Sequence, residues 1–206
     1  MTQETQDKLR EIKQRFRLLM NGVVSHSMRE KGLGYKLNWG ITLPELKAMA
    51  KEYGKDFSLA VELWKEDIRE CRILATMIMP ADEMDADMTD IWVSDVRNQE
   101  MAGIVSMNLL QYVKGAKGFA FSWIASDDEL KQICGYSVQA RLFMRGESVD
   151  IREIHEFIDQ AQVAMAGSGS AVKHAVLTAL TRFAELNDDC AGLVKNAFKQ
   201  YNLDIF

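Results

Sequence analysis

The sequence predicts an all-α protein of 206 residues, and two observations carry that prediction. Apolar side chains recur at three- and four-residue spacing in one segment after another, which places them on one face of a helix. The alternation of apolar and polar residues that indicates a strand is nearly absent, and only Pro44 and Pro80 interrupt the pattern. The predicted helices lie near residues 5–28, 43–53, 56–66, 68–79, 86–96, 98–113, 117–125, 127–145, 150–165, 169–187 and 189–201.

Helix-start signals support several of these segments. Thr42–Glu45 and Ser126–Glu129 both fit a capping box, in which a hydroxyl and a later glutamate bind free backbone N–H groups of the first turn. Asp150–Glu153 offers the same arrangement with aspartate as the cap. Glycines stand at three predicted helix ends: Gly54, Gly146 and Gly167.

About eleven helices joined by short loops allow a closed bundle or a stack of helix pairs. An antiparallel pair roughly every 30–40 residues is the period of HEAT and armadillo repeats. The sequence therefore favours a HEAT/armadillo-like helical repeat solenoid, which we expect to form a single domain over residues 1–206.

The composition excludes several classes of protein. No apolar run approaches the roughly 18 residues of a membrane span, and the charged start, MTQETQDKLREIKQRF, lacks the apolar stretch of a secretory signal. Cys71, Cys134 and Cys190 lie far apart in apolar helical patterns, as expected of reduced core cysteines in a cytoplasmic protein. No CxxC or HxxxH spacing accompanies them, so we expect no metal site and no cofactor.

Charge is distributed unevenly along the chain, whose formal net charge is −5. Residues 1–55 hold 11 Lys and Arg against 6 Asp and Glu, whereas residues 56–206 hold 14 against 24. The basic end is either a solvated helix face or a surface that contacts phosphates. The acidic total argues against a protein that coats nucleic acid indiscriminately.

A long connection, Arg29–Lys47, follows the first predicted helix and runs into the start of the second. It carries Tyr35 and Trp39 and, among its cationic side chains, Lys31 and Lys36. Such loops are often functional. Alternatively, the two aromatic side chains pin the loop onto the core, and the sequence favours this second interpretation.

Four segments in this order resemble the DNA alkylation repair family, the HEAT-like-repeat alkylpurine DNA glycosylases of the AlkD type. They are GITLPELKAMAKEYGKD (Gly40–Asp56), ELWKEDIRECRILATMIM (Glu62–Met79), IWVSDVRNQEMAGIVSMNLL (Ile91–Leu110) and VKHAVLTALTRFAELN (Val172–Asn187). No single segment is specific, but the ordered series covers nearly the whole chain.

This resemblance implies a C-shaped stack of about eleven helices that holds duplex DNA in a basic concave groove. It also implies excision of N3- and N7-alkylated purines. A groove aspartate stabilises the cationic sugar and positions water, flanked by two tryptophans and an arginine. Electrostatic stabilisation by the carboxylate and cation–π contacts would supply that chemistry.

The catalytic residues of the family are missing here. A match of Asn98–Leu110 without gaps places the aspartate on Gly103 and the first tryptophan on Gln99. The second tryptophan falls on Thr178, near HAVLTAL, and the arginine falls close to Gln132 or Ile133. No catalytic residue is therefore carried over. Whether any base excision remains is left open by the sequence.

Another carboxylate could substitute, because Glu100 lies one helical turn before Gly103. The simpler interpretation is a first-turn acid favoured by the helix dipole. The segment Asp82–Glu100 holds seven acids against Arg97 alone, which opposes phosphate binding unless the acids face outward. Gly103, beside Ala102, then indicates either close helix packing or an open cleft.

The segment MAGSGSAVKHAV places Gly167–Ser170 before a helix, with Lys173 in its first turn. A helix start can bind phosphate, but a plain serine cap is the favoured interpretation. No strand precedes it, so this is not a nucleotide-binding loop.

Three functions remain open. The first is a protein that binds damaged or distorted duplex DNA without excising a base, with phosphate contacts from Lys36, Lys47, Lys51 and Lys173. The second is a scaffold that binds protein and has lost DNA binding. The third is a glycosylase that uses Glu100 as a relocated carboxylate.

Overall fold

A computed structural model describes residues 2–201, which form twelve α-helices and three short 3₁₀ turns. Residues 2–201 contain no strand, although Leu37 and Ile68 form an isolated β-bridge. The helices are α1 (Gln3–Leu18), α2 (Gly22–Glu30), α3 (Leu43–Tyr53), α4 (Phe57–Lys65), α5 (Arg69–Ile78), α6 (Ala86–Ser94), α7 (Gln99–Asn108), α8 (Ala116–Ile124), α9 (Glu129–Met144), α10 (Ile151–Gly167), α11 (Ser170–Ala184) and α12 (Asp188–Ala197).

Every predicted helical segment contains a helix, and one of them contains two. The segment 5–28 breaks after Leu18, and α2 starts again at Gly22. The break follows from Asn21, whose side chain accepts the N–H of Val24 at 3.1 Å and caps α2. Apolar periodicity alone did not reveal this stop and restart.

Two of the predicted capping boxes are confirmed. Thr42 with Glu45, and Asp150 with Glu153, each form both reciprocal hydrogen bonds. The capping box from Ser126 is wrong. Asp128 caps α9 by accepting the N–H groups of its first turn, and Ser126 accepts the N–H of Asp128 instead.

The chain divides after Asp85 into two compact units. In the N-terminal unit, α5 packs against α3 and α4, and α1 packs against α4. In the C-terminal unit, α9 packs against α7, α8 and α11. Phe143, Phe157 and Phe183 form an aromatic cluster there, with ring centroids 5.1–5.4 Å apart.

All three cysteines are buried and none forms a disulfide. Their burial confirms their assignment as core residues. Burial raises the pKa of the Cys134 thiol to about 12 and raises that of Cys71 further. Such thiols are protonated and unreactive at neutral pH. Within residues 2–201, no helix combines the length and apolar character needed to cross a membrane.

Candidate nucleic-acid interface

One buried carboxylate, that of Glu70, binds the backbone of the connection between α2 and α3. Glu70, in the first turn of α5, is fully buried and accepts the backbone N–H groups of Trp39 and Gly40 at 3.0 Å and of Ile41 at 3.4 Å. Arg69 pairs with Glu70 at 3.3 Å and also donates to the Ile41 carbonyl. Glu70 therefore holds three consecutive residues of the loop.

The start of α2 also forms hydrogen bonds with this loop. The Asn21 N–H donates to the Trp39 carbonyl at 2.9 Å, and the Ser25 hydroxyl donates to the Asn38 carbonyl at 2.7 Å. Gly40, at φ +71°, lies directly against the backbone of Asn21 and Ser25. Glycine is suited to this position because a Cβ would collide with that backbone.

Hydrogen bonds to the loop backbone, from Glu70 and from the start of α2, hold residues 38–41. Trp39 is half-buried, and its indole N–H is buried without a hydrogen-bond partner among residues 2–201. The sequence reading missed Glu70 because an acid in the first turn of an apolar helix fits the helix-dipole rule equally well. Lys36, three residues before the segment that Glu70 holds, is exposed to solvent.

Every carboxylate within residues 2–55 is bound by a partner from the same unit. Three of them form ion pairs, one contacts a histidine, one binds a hydroxyl of its capping box, and one accepts from a tyrosine. The contacts are Glu4 with Lys8, Asp7 with Arg10, Glu30 with His26, Glu52 with Arg15, Glu45 with Thr42 and Glu11 with Tyr53.

The basic excess of this region therefore resides on side chains that these acids leave unpaired. Six exposed cations make no ion pair or side-chain hydrogen bond among the described residues: Arg17, Arg29, Lys31, Lys36, Lys47 and Lys51. Lys47 and Lys51 lie one turn apart on α3 and so share a face of that helix. Three of the four predicted phosphate contacts belong to this group, which we call the unpaired cations.

The positions that match the family's catalytic residues lie on three helices of the C-terminal unit. Gln99 and Thr178 are exposed, and the Thr178 hydroxyl donates to the His174 carbonyl at 2.9 Å. Gln132 donates to the Ser126 carbonyl, and Ile133 is buried. No carboxylate, indole or guanidinium stands at these positions.

Gly103 borders open space. It is partly exposed in the middle of α7, and a Cβ built on it meets no atom within 4 Å. The interpretation of Gly103 as a site of close helix packing is therefore wrong, whereas that of an open position agrees with the structure. Glu100 lies in the first turn of α7, where the helix dipole favours an acid.

Replacing Gly103 with alanine is expected to raise the free energy of unfolding by about 0.5–1 kcal/mol, because glycine weakens a helix without a packing role. Gly135, also within a helix, is the contrasting case. A Cβ there would lie 2.6 Å from the Ile124 side chain and 2.9 Å from the Ala120 carbonyl oxygen. Gly135→Ala should lower stability by about 1–3 kcal/mol. Urea unfolding of both variants checks these two predictions. A change of unfolding free energy in the same direction for both variants would contradict them.

The start of α11 is occupied by a carboxylate. Glu129 accepts the N–H of Gly169, the N-cap residue, at 3.1 Å, and no side chain of the segment caps the helix. The predicted serine cap is therefore wrong, and Glu129 takes the place that an anion would occupy. Lys173 is half-buried in the first turn and makes no ion pair among the described residues.

Most acids of the stretch from Asp82 to Glu100 are exposed. The five exposed acids are Asp82, Glu83, Asp85, Asp87 and Asp90. Asp95 and Glu100 are half-buried. Within the described part of the chain, no cluster of His, Cys, Asp or Glu side chains is arranged to bind a metal ion.

Comparison with solved structures defines the class of fold. The chain is similar to a solved structure from a family related to the HEAT-like repeat DNA glycosylases, described as having affinity for branched DNA structures. The two share 20% sequence identity and a TM-score of 0.84, over 93% of this chain and 82% of that one. This match confirms the predicted HEAT-like helical repeat fold.

The family follows from a second comparison. The family model for the DNA alkylation repair enzymes matches residues 12–190, so the chain belongs to the DNA alkylation repair enzyme family. This result confirms the resemblance found in the sequence. Comparison with curated proteins gave no significant match.

Proposed function

We propose that this protein binds damaged or distorted duplex DNA, branched DNA included, through the unpaired cations of its N-terminal unit. The main evidence is that all six carboxylates within residues 2–55 contact partners in the same unit, whereas six exposed cations of this region have no such partner. We place the protein in the cytoplasm.

The arrangement favours phosphate binding for a physical reason. An unpaired surface cation can contact a phosphate without first losing an ion pair, and each contact releases counterions from DNA. Lys36 is carried by a loop that Glu70 holds in place, and Lys47 and Lys51 project from one helix. Less conformational entropy is lost when such cations bind DNA than when they lie on a mobile segment.

Two features support distorted DNA, bound without excision, as the substrate. The solved relative with affinity for branched DNA supports a substrate whose helix is interrupted. The family's catalytic aspartate has no counterpart at Gly103, which borders open space. Without that carboxylate, a developing sugar cation lacks its electrostatic stabilisation.

Changing Lys36, Lys47 and Lys51 together to alanine should flatten the dependence of log K on log salt concentration by about 3 units, because each lost phosphate contact removes nearly one. Binding to an abasic duplex and to a four-way junction, measured by fluorescence anisotropy over a salt series, checks this. Lys173→Ala alone should flatten the slope by about 1 unit if this residue also contacts phosphate.

The matched control changes three cations that are already paired: Lys8, Arg10 and Lys65. It removes the same net charge but should leave the slope within about one unit of the wild type. An equal flattening by both triple variants would contradict a specific role for Lys36, Lys47 and Lys51. Long-range charge would then explain the effect.

Incubation with a methylated duplex tests the absence of excision. We expect no release of 3-methyladenine or 7-methylguanine above the uncatalysed rate. Release that Glu100→Gln abolishes would contradict this expectation and support Glu100 as a relocated catalytic carboxylate.

The exposed acids from Asp82 to Asp90 favour a second candidate function, a scaffold that binds a basic partner protein. The two functions differ in one measurement. A wild-type protein that binds none of the DNA probes at low salt would support the scaffold.

A further inference from the structure

An exposed apolar surface lies at the junction of α1 and α2. Leu18 is 85% exposed, Leu19 37%, Met20 57% and Val23 82%. We call these four residues the apolar turn. A cluster of large exposed apolar side chains indicates an interaction surface, whereas single ones do not.

The apolar turn lies beside the anchored loop. The N–H of Asn21, between Met20 and Val23 in the sequence, donates to the Trp39 carbonyl at 2.9 Å, and Gly40 packs against the Asn21 backbone. The turn is therefore adjacent to the loop that carries Lys36 and leads into α3.

Unpaired cations also flank the turn in the sequence. Arg17 directly precedes Leu18, and Arg29 follows Val23 on α2, and both are exposed. The carboxylate of that helix, Glu30, is bound to His26 at 3.3 Å. Arg17 is thus the immediate sequence neighbour of the apolar turn, Arg29 lies further along α2, and no described acid pairs with either.

We propose that the apolar turn inserts at an interrupted base step of branched or distorted DNA, while the neighbouring unpaired cations hold the phosphates on either side. This inference rests on the proposed function and specifies the feature that is recognised. In an intact duplex the stacked bases leave no room for an apolar side chain. At a branch point the stacking is already broken, so an inserted Leu, Met or Val costs less.

Charge complementarity decides in favour of DNA over a second copy of this chain. Two copies meeting at this surface would bring their unpaired cations together, which is unfavourable. Branched DNA matches both features, because its phosphates attract the cations and the exposed base faces at the branch point can contact the apolar turn.

The test replaces Leu18, Met20 and Val23 together with serine and uses a four-way junction and a duplex of equal length as probes. The control variant replaces three exposed apolar residues of the C-terminal unit with serine: Ile91, Ile151 and Val163, which are 62%, 62% and 69% exposed. Both variants remove three exposed apolar side chains. A 2-aminopurine at the branch point reports unstacking.

The wild type should bind the junction on the order of tenfold more tightly than the duplex and raise the 2-aminopurine fluorescence. The apolar-turn variant should lose that preference and that signal, while its affinity for the duplex stays within about twofold. The control variant should behave like the wild type.

Three results would overturn the proposal. The first is an apolar-turn variant that retains the junction preference and the fluorescence signal. The second is an equal loss of affinity for both probes. The third is a wild-type dimer in sedimentation that the variant dissociates while junction binding persists. A wild type that binds neither probe would overturn the proposed function as well, whereas equal binding of both probes would overturn this inference alone.

Discussion

Replacing Glu70 with alanine should lower the free energy of unfolding by about 3–5 kcal/mol, the range seen when one partner of a buried ion pair is removed. The substitution leaves the N–H groups of Trp39, Gly40 and Ile41 without this acceptor. It also removes the carboxylate that lies 3.3 Å from the buried Arg69 guanidinium. Each buried donor that loses its acceptor adds a desolvation cost.

Chemical denaturation measures the total effect, and hydrogen exchange locates it. The amides of residues 39–41 should exchange faster in Glu70→Ala, ahead of global unfolding. Glu70→Gln retains one acceptor oxygen and should fall between the wild type and alanine. Glu66→Ala, which breaks a partly exposed pair with Lys13, should cost at most about 1 kcal/mol. A Glu70→Ala variant as stable as Glu66→Ala would show that the carboxylate does not anchor the loop.

The anchored loop shows where sequence-based prediction succeeds and where it stops. The helices were predictable because their apolar periodicity is local, and the boxes at Thr42 and Asp150 were predictable because their partners lie three residues away. Glu70 contacts residues about 30 positions earlier, as its bonds to Gly40 and Trp39 show. No local pattern distinguishes such an acid from a solvated one.

The same limit applies at the start of α11. The local pattern favoured a serine cap, but the side chain that binds the Gly169 N–H comes from Glu129, 40 residues earlier. At Ser126 the error was local: Asp128 is an equally good cap and lies closer to the first helical residue, Glu129.

The candidate interface was predictable in sign but not in detail. Composition predicted a basic end, yet it could not show which cations are free, because that depends on pairings such as Arg15 with Glu52, 37 residues apart. The missing catalytic residues were evident only through the family resemblance, since an exposed Gln99 or Thr178 is unremarkable by itself. The open space at Gly103 required the structure.

The apolar turn illustrates a further limit. Periodicity placed Leu18, Met20 and Val23 within one continuous helix, where apolar residues are normally buried. The break at Asn21 instead leaves them exposed. An error in one helix boundary therefore concealed a candidate recognition surface.

Replacing Gly40 with alanine should lower the free energy of unfolding by about 3–6 kcal/mol, because two costs combine there. Gly40 has φ +71°, where a side chain is strained. An added Cβ would also collide with the Asn21 carbonyl oxygen and lie 2.7 Å from the Ser25 nitrogen. Both atoms belong to the backbone of α2 and its cap, so neither can rotate away as a flexible side chain could.

Gly54 separates the two costs. It ends α3 at φ +67° and ψ −162°, yet a Cβ there would meet no atom within 4 Å. Gly54→Ala should therefore cost only the conformational strain, about 1–3 kcal/mol. Thermal and urea unfolding of the two variants give the difference, which measures the collision between the loop and α2. If both variants lose the same stability, the contact between Gly40 and the backbone of α2 is loose.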